Sequence, residues 1–362
     1  MFAPLSVLAR YYSDYESRFQ YEWSPYLPHA VPQSYRPKVL VVGYGYGASA
    51  FTQHLDRSKY DTTIVSTSLN RLNQPFLIQN IGLSQSRQSR LYKDHPYRIQ
   101  IREDTCVSID PKTNTIHGNR QPYPYDYLVL ATGSEVNDFG VKGVKDHCLL
   151  LKTKRDLDQL NAKLQQTSIA NVIVLGAGPT GIELACKMRS LNYPVTIVEA
   201  SPSILPGFSQ PFRDRVMSLL QHKDIRLRLD MPVSSIDTAA IQSANTNQTL
   251  TYQPTDLLLW TCGVKTTGLG LPYKPNQHLS VSSHIYVIGD ASRQGPPTAQ
   301  NAKQQGQYLA RVFNSNFTDP PPYKYQELGK VLDTTDGYLI EFKGFLVYVP
   351  YFLRPLVDYF RE

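Results

Sequence analysis

Cysteine is scarce in this sequence. Its 362 residues contain four cysteines, at positions 106, 148, 186 and 262, and no two of them form a CxxC or CxxxxC pair. Cysteines this few and this scattered exclude a disulfide scaffold and a cysteine-rich metal site. We therefore predict no metal site, and we expect a chain that works in a reducing compartment.

Long apolar runs and dense positive charge are also missing. The longest apolar run, residues 345–353, is interrupted by Pro350, whereas a membrane-spanning helix needs about 20 apolar residues. Lys and Arg number 37 against 30 Asp and Glu, for a net charge of +7, and the basic residues are spread along the chain. Neither a spanning helix nor a nucleic-acid partner is predicted. Apolar residues make up 41% of the chain, enough for the cores of two or three domains.

One pattern occurs twice. A β-branched strand at residues 37–42 leads into Gly43-Tyr-Gly45-Tyr-Gly-Ala48, and a similar strand at residues 171–175 leads into Gly176-Ala-Gly178-Pro-Thr-Gly181. Each glycine turn is followed by a helical pattern and by a second strand, at residues 62–65 and 195–198. This order is typical of the βαβ unit that binds dinucleotides.

The small residues of each unit have separate physical roles. The first glycine makes the tight turn, the second lets the backbone approach a diphosphate, and the third small residue lets helix and strand pack closely. The diphosphate then lies at the helix N-terminus, where free N–H groups favour an anion. The predicted cofactor-binding residues of these turns are Gly43, Gly45, Ala48, Gly176, Gly178 and Gly181.

Three further strands end in residues that ligands commonly contact. Residues 123–133 end in Thr132-Gly133, residues 256–263 end in Gly263, and residues 284–290 end in Gly289-Asp290. In open α/β sheets, ligands bind outside the carboxyl ends of parallel strands. After two nucleotide units, Asp290 is predicted to hold ribityl or ribose hydroxyls.

Longer motifs carry a resemblance to a known family. They are Gly43-x-Gly45-x-x-Ala48, Ala131-Thr132-Gly133, residues 135–144, Leu151-Lys152, residues 178–185, Gly289-Asp290 and the helix Pro297-Thr-Ala299-Gln300-Asn-Ala302-Lys-Gln304-Gln305-Gly306. With these motifs, residues 38–313 resemble two-dinucleotide-domain flavoproteins, and more narrowly the type II NADH dehydrogenases. Members of that family are single-chain NADH:quinone oxidoreductases that pump no protons.

The resemblance implies an α/β fold with two Rossmann-like dinucleotide-binding domains, the NAD domain inserted in the FAD domain, and a C-terminal membrane-associating segment. It implies FAD and NADH as cofactors and a membrane quinone as acceptor. The expected divisions are an N-terminal extension at 1–37, the FAD-binding domain at 38–150 and 264–318, the NADH-binding domain at 151–263, and a C-terminal segment at 319–362.

One stretch departs from the family pattern. After the second strand of the flavin unit, family members usually carry a Ser-Pro-Arg-Asn-Tyr-Phe type sequence and then Thr-Pro-Leu-Leu. This chain has Ser66-Thr-Ser68-Leu-Asn-Arg71 and then Gln74-Pro75-Phe76-Leu77. The usual Arg, aromatic residues and Thr are absent from their places, so the details of the flavin site and its activity are open. Residues 1–37 match no pattern of the family.

The end of each second strand indicates which nucleotide binds there. Glu199 follows residues 195–198, where an acid accepts hydrogen bonds from ribose hydroxyls and opposes a 2′-phosphate. NADH is therefore expected in the second unit in preference to NADPH. Ser66 is the neutral counterpart in the first unit, which we assign to FAD by unit order and by Asp290.

The resemblance also suggests catalytic residues. Glu183 lies near the start of the second-unit helix, and the family's acid at this place faces nicotinamide and flavin. The alternative role is to stabilise the positive end of that helix. Gln300 and Gln304 share a helix face and match the family's flavin and quinone wall, while Ala299 and Ala302 let that helix approach the flavin. The alternative for both glutamines is a solvated helix face.

The tail has two interpretations. Residues 342–362 are rich in aromatic and aliphatic side chains, so they could lie at a membrane interface or pack as a strand and a helix on the protein's own core. The first interpretation, with the resemblance, predicts a peripheral membrane protein. The membrane would be the mitochondrial inner membrane in a eukaryote, or otherwise the cytoplasmic face of the plasma membrane. A homodimer stays open.

Two rival functions remain at this stage. One is a soluble NADH-dependent flavoprotein that reduces a protein acceptor. The other is a catalytically silent relative that keeps the fold as a structural subunit. The altered 66–77 stretch is the reason to consider it. Disulfide reduction is disfavoured because no two cysteines lie close together in sequence.

Overall fold

The computed structural model describes residues 35–84, 91–93, 99–166, 168–245, 248–266, 274–353 and 357. Most of the predicted N-terminal extension and most of the last nine residues lie outside this part. The helices are α1 (Tyr46–His54), α2 (Pro75–Gln79), α3 (Val144–His147), α4 (Lys154–Gln166), α5 (Pro179–Ser190), α6 (Gln210–His222) and α7 (Ala299–Asn314), with 3-10 helices at Gly289–Ser292 and Tyr351–Leu353.

The strands are short, as parallel strands buried on both faces commonly are. In chain order they are β1 (Lys38–Val42), β2 (Asp61–Ser66), β3 (Arg71–Leu72), β4 (Tyr92–Lys93), β5 (Gln100–Glu103), β6 (Cys106–Asp110), β7 (Thr115–Gly118), β8 (Pro122–Pro124), β9 (Tyr127–Leu130), β10 (Ser134–Val136), β11 (Cys148–Leu149), β12 (Val172–Leu175), β13 (Val195–Val198), β14 (Ile225–Arg228), β15 (Val233–Ile236), β16 (Ala240–Ser243), β17 (Thr249–Thr251), β18 (Leu257–Trp260), β19 (Val264–Thr266), β20 (Ile285–Val287), β21 (Lys330–Asp333), β22 (Gly337–Phe342) and β23 (Phe345–Pro350).

Two parallel sheets form the centre of the fold. The first has the order β20-β9-β1-β2-β5 and the second has the order β11-β18-β12-β13-β14. Every pairing within them is parallel. The chain leaves the first sheet after β9, builds the second sheet, and returns to the first at β20. The predicted α/β fold with two Rossmann-like sheets is confirmed, while the domain boundaries stay a prediction.

The inner strands are continuous apolar runs because each parallel sheet is buried on both faces, by helices on one face and by an antiparallel sheet on the other. All four residues of β12, β13 and β18 are buried, and so are the last four residues of β1. The antiparallel sheet β6-β7-β8 packs on the face of the first parallel sheet opposite its helices, and β15-β16-β17 packs likewise on the second. Two short pairs, β10-β19 and β3-β4, are also antiparallel. The carboxyl ends of the two parallel sheets therefore stay open to carry a site.

The described part of the tail forms an antiparallel sheet, β21-β22-β23. Tyr338 on β22 pairs with Val349 on β23, and both side chains are fully buried. Of the two interpretations of the tail, packing on the protein's own core therefore describes β23, whose Val347 and Val349 belong to a hydrophobic cluster. The predicted membrane-associating segment stays a prediction, because residues 354–356 and 358–362 lie outside the described part of the chain. Within the described residues, no helix is both long enough and apolar enough to cross a bilayer.

Candidate functional site

One large cavity connects the two glycine turns. Its volume is about 3050 Å³, whereas a site for one small ligand usually measures about 300–1,000 Å³. Almost all of the predicted site residues line it: Gly43, Gly45, Ser66, Thr132, Gly133, Gly176, Gly178, Glu183, Glu199, Gly263, Asp290, Ala299, Gln300 and Gln304. The fold thus brings to one cavity residues that lie more than 200 positions apart in sequence.

The first glycine turn is tight on one side and open on the other. Gly43 has φ +98°, and a Cβ there would lie 2.8 Å from the Ala131 carbonyl carbon. A Cβ added at Gly45, just before α1, would have no atom within 4 Å. Its backbone therefore faces the cavity, as a diphosphate at the helix N-terminus requires. Ala48 does not line the cavity but is fully buried in α1.

The second glycine turn has the same division of roles. Gly176 has φ +106° and donates its N–H to the Val198 carbonyl (2.8 Å). A Cβ on Gly178 would again meet nothing within 4 Å. Gly181 lies outside the cavity lining, and a Cβ there would overlap the Gly176 carbonyl and lie 2.8 Å from Thr261 Oγ1. Gly181 therefore has the close-packing role that the motif predicts.

The two strand ends differ in charge. Glu199 Oε2 accepts from the Ala177 N–H (2.7 Å), and Oε1 accepts from the Ser201 N–H (2.9 Å). Each carboxylate oxygen can accept more than one hydrogen bond, so the fixed carboxylate retains capacity for ribose hydroxyls. Ser66 is neutral, and its carbonyl accepts from the Asp104 N–H (2.9 Å).

Asp290 is connected to a lysine that the sequence analysis quoted only as part of a motif. The Ser134 hydroxyl donates to Asp290 Oδ2 (2.5 Å), and Lys152 Nζ donates to Ser134 Oγ (3.1 Å). Burial lowers the pKa of Lys152, and the charge of Asp290 partly opposes this shift. The three side chains link the carboxyl end of β20 to the start of α4 across the cavity wall.

The neighbouring strand ends are shaped by backbone conformation. Gly133 has φ +75°, and a Cβ there would meet nothing within 4 Å; Thr132 precedes it in the cavity wall. Gly263 has φ +126°, and its carbonyl accepts from the Asn137 N–H (3.0 Å). Both glycines allow a ligand to approach the backbone at the mouth between the two sheets.

Helix α7 forms the wall that faces both turns. Thr298 caps it by accepting from the Asn301 N–H (3.1 Å), and Ala299 is its first residue. Gln300 Oε1 accepts from the Tyr325 hydroxyl (2.5 Å) and from the Leu328 N–H (3.0 Å). The alternative of a solvated helix face does not describe Gln300, because these bonds hold it against the segment that follows the helix.

Gln304 is more enclosed than Gln300. It is 7% exposed, and its side-chain amide makes both bonds to the Gln326 backbone, donating to the carbonyl (2.7 Å) and accepting from the N–H (2.9 Å). Its catalytic role stays a prediction. The geometry gives it a second task, which is to hold the chain at Gln326 over the cavity.

Glu183 lies where α5 meets the C-terminal sheet. Its side chain is 7% exposed, lines the cavity, and accepts from the Asp333 N–H at Oε1 (2.9 Å). This bond was not foreseen, because β21 is 150 residues away along the chain. The carboxylate is therefore positioned by a tertiary contact as well as by its own helix.

Sequence reasoning missed a group of cavity-lining residues around Tyr46. The guanidinium carbon of Arg71 lies 4.5 Å from the centre of the Tyr46 ring, and Lys303 Nζ lies 5.4 Å from it. The Tyr46 hydroxyl donates to Asn73 Oδ1 (2.5 Å). Arg71 belongs to the stretch that departs from the family pattern, so its arginine was itself the available signal.

The observed cavity fits two dinucleotides. Each glycine turn offers a helix N-terminus where a Cβ-free residue faces open space, and each has a polar side chain at its second strand end. The first turn, with Asp290 across from it, would hold FAD, and the second turn with Glu199 would hold NADH. The open positions at Gly45 and Gly178 leave room for the two diphosphates, while unit order, Asp290 and Glu199 decide which nucleotide is assigned to which turn.

All four cysteines are free and unsuited to a disulfide relay. Burial raises the pKa of Cys106 to about 11 and that of Cys148, Cys186 and Cys262 to about 12. Thiols with such values stay protonated near neutral pH, whereas thiol–disulfide chemistry requires the thiolate. A cysteine relay between flavin and acceptor is therefore disfavoured by structure as well as by sequence.

Comparison with known proteins agrees with this geometry. A probable mitochondrial NADH-ubiquinone oxidoreductase of Schizosaccharomyces pombe is 26% identical over 378 residues, covering 85% of this chain and 68% of that protein. A type II NADH:quinone oxidoreductase of Staphylococcus haemolyticus is 25% identical, covering 83% of this chain and 89% of that protein. The chain spans about two thirds or less of the length of the fungal mitochondrial relatives that it matches.

The fold is shared with a solved structure of NDH2 from Plasmodium falciparum in complex with NADH. The TM-score is 0.79 at 19% identity, with 91% of this chain and 95% of that chain covered. The resemblance to type II NADH dehydrogenases that the motifs predicted is thus confirmed. A profile of pyridine nucleotide-disulphide oxidoreductases matches residues 37–306, well over half of the sequence. The chain belongs to the pyridine nucleotide-disulphide oxidoreductase family.

Proposed function

We propose that this protein is an FAD-dependent NADH:quinone oxidoreductase of the type II NADH dehydrogenase kind. The observation that carries the proposal is the single cavity that joins both glycine turns and is walled by the glutamine-bearing helix α7. The names of the relatives support the same activity. FAD, when bound, accepts a hydride from NADH and passes electrons to the acceptor, which is chemistry of the cofactor rather than of the side chains.

The residues of the second unit select and orient NADH. The carboxylate of Glu199 accepts hydrogen bonds from the ribose hydroxyls and repels a 2′-phosphate. Two backbone N–H groups already hold this carboxylate in place, so its side chain need not become ordered when NADH binds. Ala200, which follows it, offers no positive charge to a phosphate.

The residues of the first unit hold FAD. The open N-terminus of α1 at Gly45 receives the diphosphate, and Asp290 accepts from a ribityl hydroxyl. Because Asp290 already accepts from Ser134 on one oxygen, its orientation is fixed before the cofactor binds. Thr132, Gly133 and Gly263 leave backbone accessible where the flavin and nicotinamide rings would meet.

The acceptor reaches the flavin directly. Ala299 and Ala302 keep the start of α7 narrow, and Gln300 beside them presents its amide to the same space. Without a cysteine relay, an acceptor must approach the ring itself, which suits a planar quinone. Glu183, in the wall between α5 and β21, is the proposed acid that faces nicotinamide and flavin.

The test is NADH oxidation by the purified protein with a short-chain quinone, with and without added FAD. We expect turnover that depends on FAD and is slower with NADPH. A visible spectrum distinguishes the rivals, because a catalytically silent relative without flavin stays colourless. A flavin-containing protein that NADH reduces but quinone does not reoxidise would instead favour a soluble flavoprotein with a protein acceptor.

We also propose peripheral attachment to a membrane through an exposed aromatic surface at β23 and the 3-10 helix that follows it. Phe345, Tyr348, Tyr351 and Phe352 are 44%, 38%, 37% and 79% exposed. Aromatic rings of this kind lie at the headgroup level of bilayers. The membrane would be the mitochondrial inner membrane in a eukaryote or otherwise the plasma membrane, with a homodimer through this surface as the alternative.

Truncation at residue 342 is not a clean test of attachment, because β23 is paired along its length with β22. Replacing the exposed residues Phe345, Tyr348 and Phe352 with serine leaves the buried Val347 and Val349 of β23 in place. We expect this variant to lose binding to anionic liposomes and activity with long-chain quinones, while short-chain activity remains. Val107→Ser, at a 59% exposed apolar residue elsewhere, is the matched control. Unchanged liposome binding would end the proposal, and light scattering would show whether the surface forms a dimer instead.

A further inference from the structure

The guanidinium of Arg71 is buried, and no charged side chain among the described residues compensates it. Arg71 is 3% exposed and lies in the cavity wall on β3. No carboxylate among the described residues forms an ion pair with it, and its Nη1 has no hydrogen-bond partner among them. A charge removed from water without a partner is strongly unfavourable. An anion that enters the cavity would supply what the folded chain does not.

The surroundings of Arg71 are positive rather than negative. Arg71 and Lys303 both approach the ring of Tyr46, at 4.5 and 5.4 Å from its centre. Tyr46 is the first residue of α1, so the partial positive charge of the α1 N-terminus adds to theirs. Three sources of positive potential thus converge on one part of the cavity.

The carboxylates of the cavity are held by other groups. Asp104 accepts from the Tyr123 hydroxyl (2.9 Å), Asp290 from Ser134 (2.5 Å), and Glu199 from the Ala177 N–H (2.7 Å). The other three carboxylates of the cavity lining also have partners: Asp56 accepts from Ser58 (2.6 Å), Glu183 from the Asp333 N–H (2.9 Å), and Glu327 pairs with Lys330 (3.2 Å). The geometry therefore points to a bound anion, and the contact of Arg71 with Tyr46, the first residue of α1, indicates its chemistry. A diphosphate lies at such a helix N-terminus, a quinone carries no charge, and the NADH diphosphate belongs to the other turn at Gly178.

We propose that Arg71 is the counter-cation of the FAD diphosphate, acting with the α1 N-terminus and Lys303. This inference rests on the proposed function, because it requires FAD in the first unit. It also assigns a function in FAD binding to the altered 66–77 stretch. The stretch has Ser68 where family members usually carry Arg, and it brings an arginine to the cavity wall from position 71 instead.

The test compares Arg71→Met with Arg57→Met, which removes an exposed arginine from the same cavity wall. FAD affinity of the apo proteins is measured by fluorescence titration, and their stability by urea unfolding. We expect Arg71→Met to weaken FAD by at least about tenfold, the usual effect of losing a charge-assisted bond. Its apo stability should equal or exceed that of the wild type, because an uncompensated buried charge is gone. Arg57→Met should change neither quantity.

Two probes separate the diphosphate from other ligands. ADP carries the diphosphate without the flavin, and riboflavin carries the flavin without the diphosphate. Arg71→Met should weaken ADP as it weakens FAD and leave riboflavin unchanged. Three outcomes would overturn the inference. They are an equal loss of affinity for riboflavin, an affinity for FAD within about twofold of that of the wild type, and an effect confined to the KM for NADH.

Failure of the inference is distinguishable from failure of the proposed function. If the wild-type protein binds no FAD, the proposed function is wrong and the inference falls with it. If wild type binds FAD and Arg71→Met binds it equally well, the inference alone is wrong. Should Arg71→Met not fold, Arg71→Gln, which is polar and uncharged, carries the same comparison with the same deciding outcomes.

Discussion

The two dinucleotide units differ in which backbone segments pack most closely. In the second unit the close contact is between residues of the unit itself, whereas in the first unit it is between α1 and α7, a helix far along the chain. A Cβ on Gly181 would overlap the carbonyl of Gly176 in its own turn. The equivalent position of the first unit is Ala48. There the close approach is between α1 and α7, where a Cβ on Gly306 would lie 2.8 Å from Phe51 N and overlap the Gly47 carbonyl.

The strand ends repeat this difference. The second unit carries its own acid, Glu199, whereas the first ends in neutral Ser66. In our proposal the first unit uses Asp290 from a 3-10 helix and Arg71 from β3. The second unit is therefore nearly self-contained between residues 172 and 199. The first becomes a binding site only when α7, the 3-10 helix with Asp290, and β3 are packed around it. Local motifs consequently describe the second site better than the first.

The largest expected effect comes from Gly306→Ala, which breaks the long-range packing of the first unit. Overpacking of this kind costs about 1–3 kcal/mol, and we expect the upper end because the obstructing atoms belong to the backbone. FAD content should fall with stability. Urea unfolding and flavin absorbance measure both. Gly45→Ala is the control, because its Cβ meets nothing within 4 Å, so it should fold normally and weaken only FAD. A wild-type unfolding midpoint for Gly306→Ala would contradict the comparison.

The second effect tests the self-contained unit through coenzyme choice. In Glu199→Ser combined with Ala200→Arg, the 2′-phosphate gains a cation and loses a repelling carboxylate. Two charge-assisted contacts of about 1.5 kcal/mol each, the low end of their usual range, should shift the ratio of kcat/KM for NADPH over NADH by about a hundredfold. Glu199→Gln alone, which can still accept one of the two backbone bonds, controls for lost support of the loop. Equal use of both coenzymes by the wild type would show that the strand end is wrongly assigned.

The third prediction distinguishes a direct contact of Gln300 with quinone from a role of Gln300 in positioning the segment that follows α7. Gln300→Leu should slow quinone reduction by about tenfold and leave anaerobic reduction of the flavin by NADH nearly unchanged. Tyr325→Phe removes only the hydroxyl that donates to Gln300. If Tyr325→Phe reproduces the whole loss, Gln300 acts by holding the 325–328 segment. Equal losses in both half-reactions would count against a quinone-side role altogether.

The smallest effect concerns Lys152 beside Asp290. Its pKa is lowered by burial in the folded protein, so between the folded and unfolded pKa values the unfolded chain binds more protons. Stability should therefore rise with pH through that alkaline window. Lys152→Met should remove this rise and leave the slope near neutral pH unchanged. Urea unfolding across the pH range measures it, with exposed Lys163→Met as control. If the stability of Lys152→Met still rises with pH as that of the wild type does, another group titrates in this range.

The sequence predicted the fold and most of the cavity because both depend on local patterns. Strand, glycine turn and helix follow one another within each unit, and parallel strands place their carboxyl ends at one edge. The residues at those ends, such as Thr132, Glu199 and Asp290, could therefore be named without a structure. The roles of Glu183, Gln300 and Gln304 stay predictions, since the geometry adds anchoring bonds to each of them.

The features that were missed depend on contacts between distant segments. The bond from Asp333 to Glu183 and the contact of Arg71 with Tyr46 join elements that share no local motif. The tail illustrates the same limit. Its composition fits a membrane interface and a core strand equally well, and only the pairing of β23 with β22 separates its buried residues from its exposed ones.

The most direct measurement is an anaerobic two-step mixing experiment on the FAD-loaded protein. NADH is added first and a short-chain quinone second, while flavin absorbance is followed. The account predicts that NADH bleaches the flavin absorbance, that quinone restores it, and that one quinone is consumed per NADH. Flavin that NADH does not bleach, or bleached flavin that quinone leaves unchanged, would contradict it.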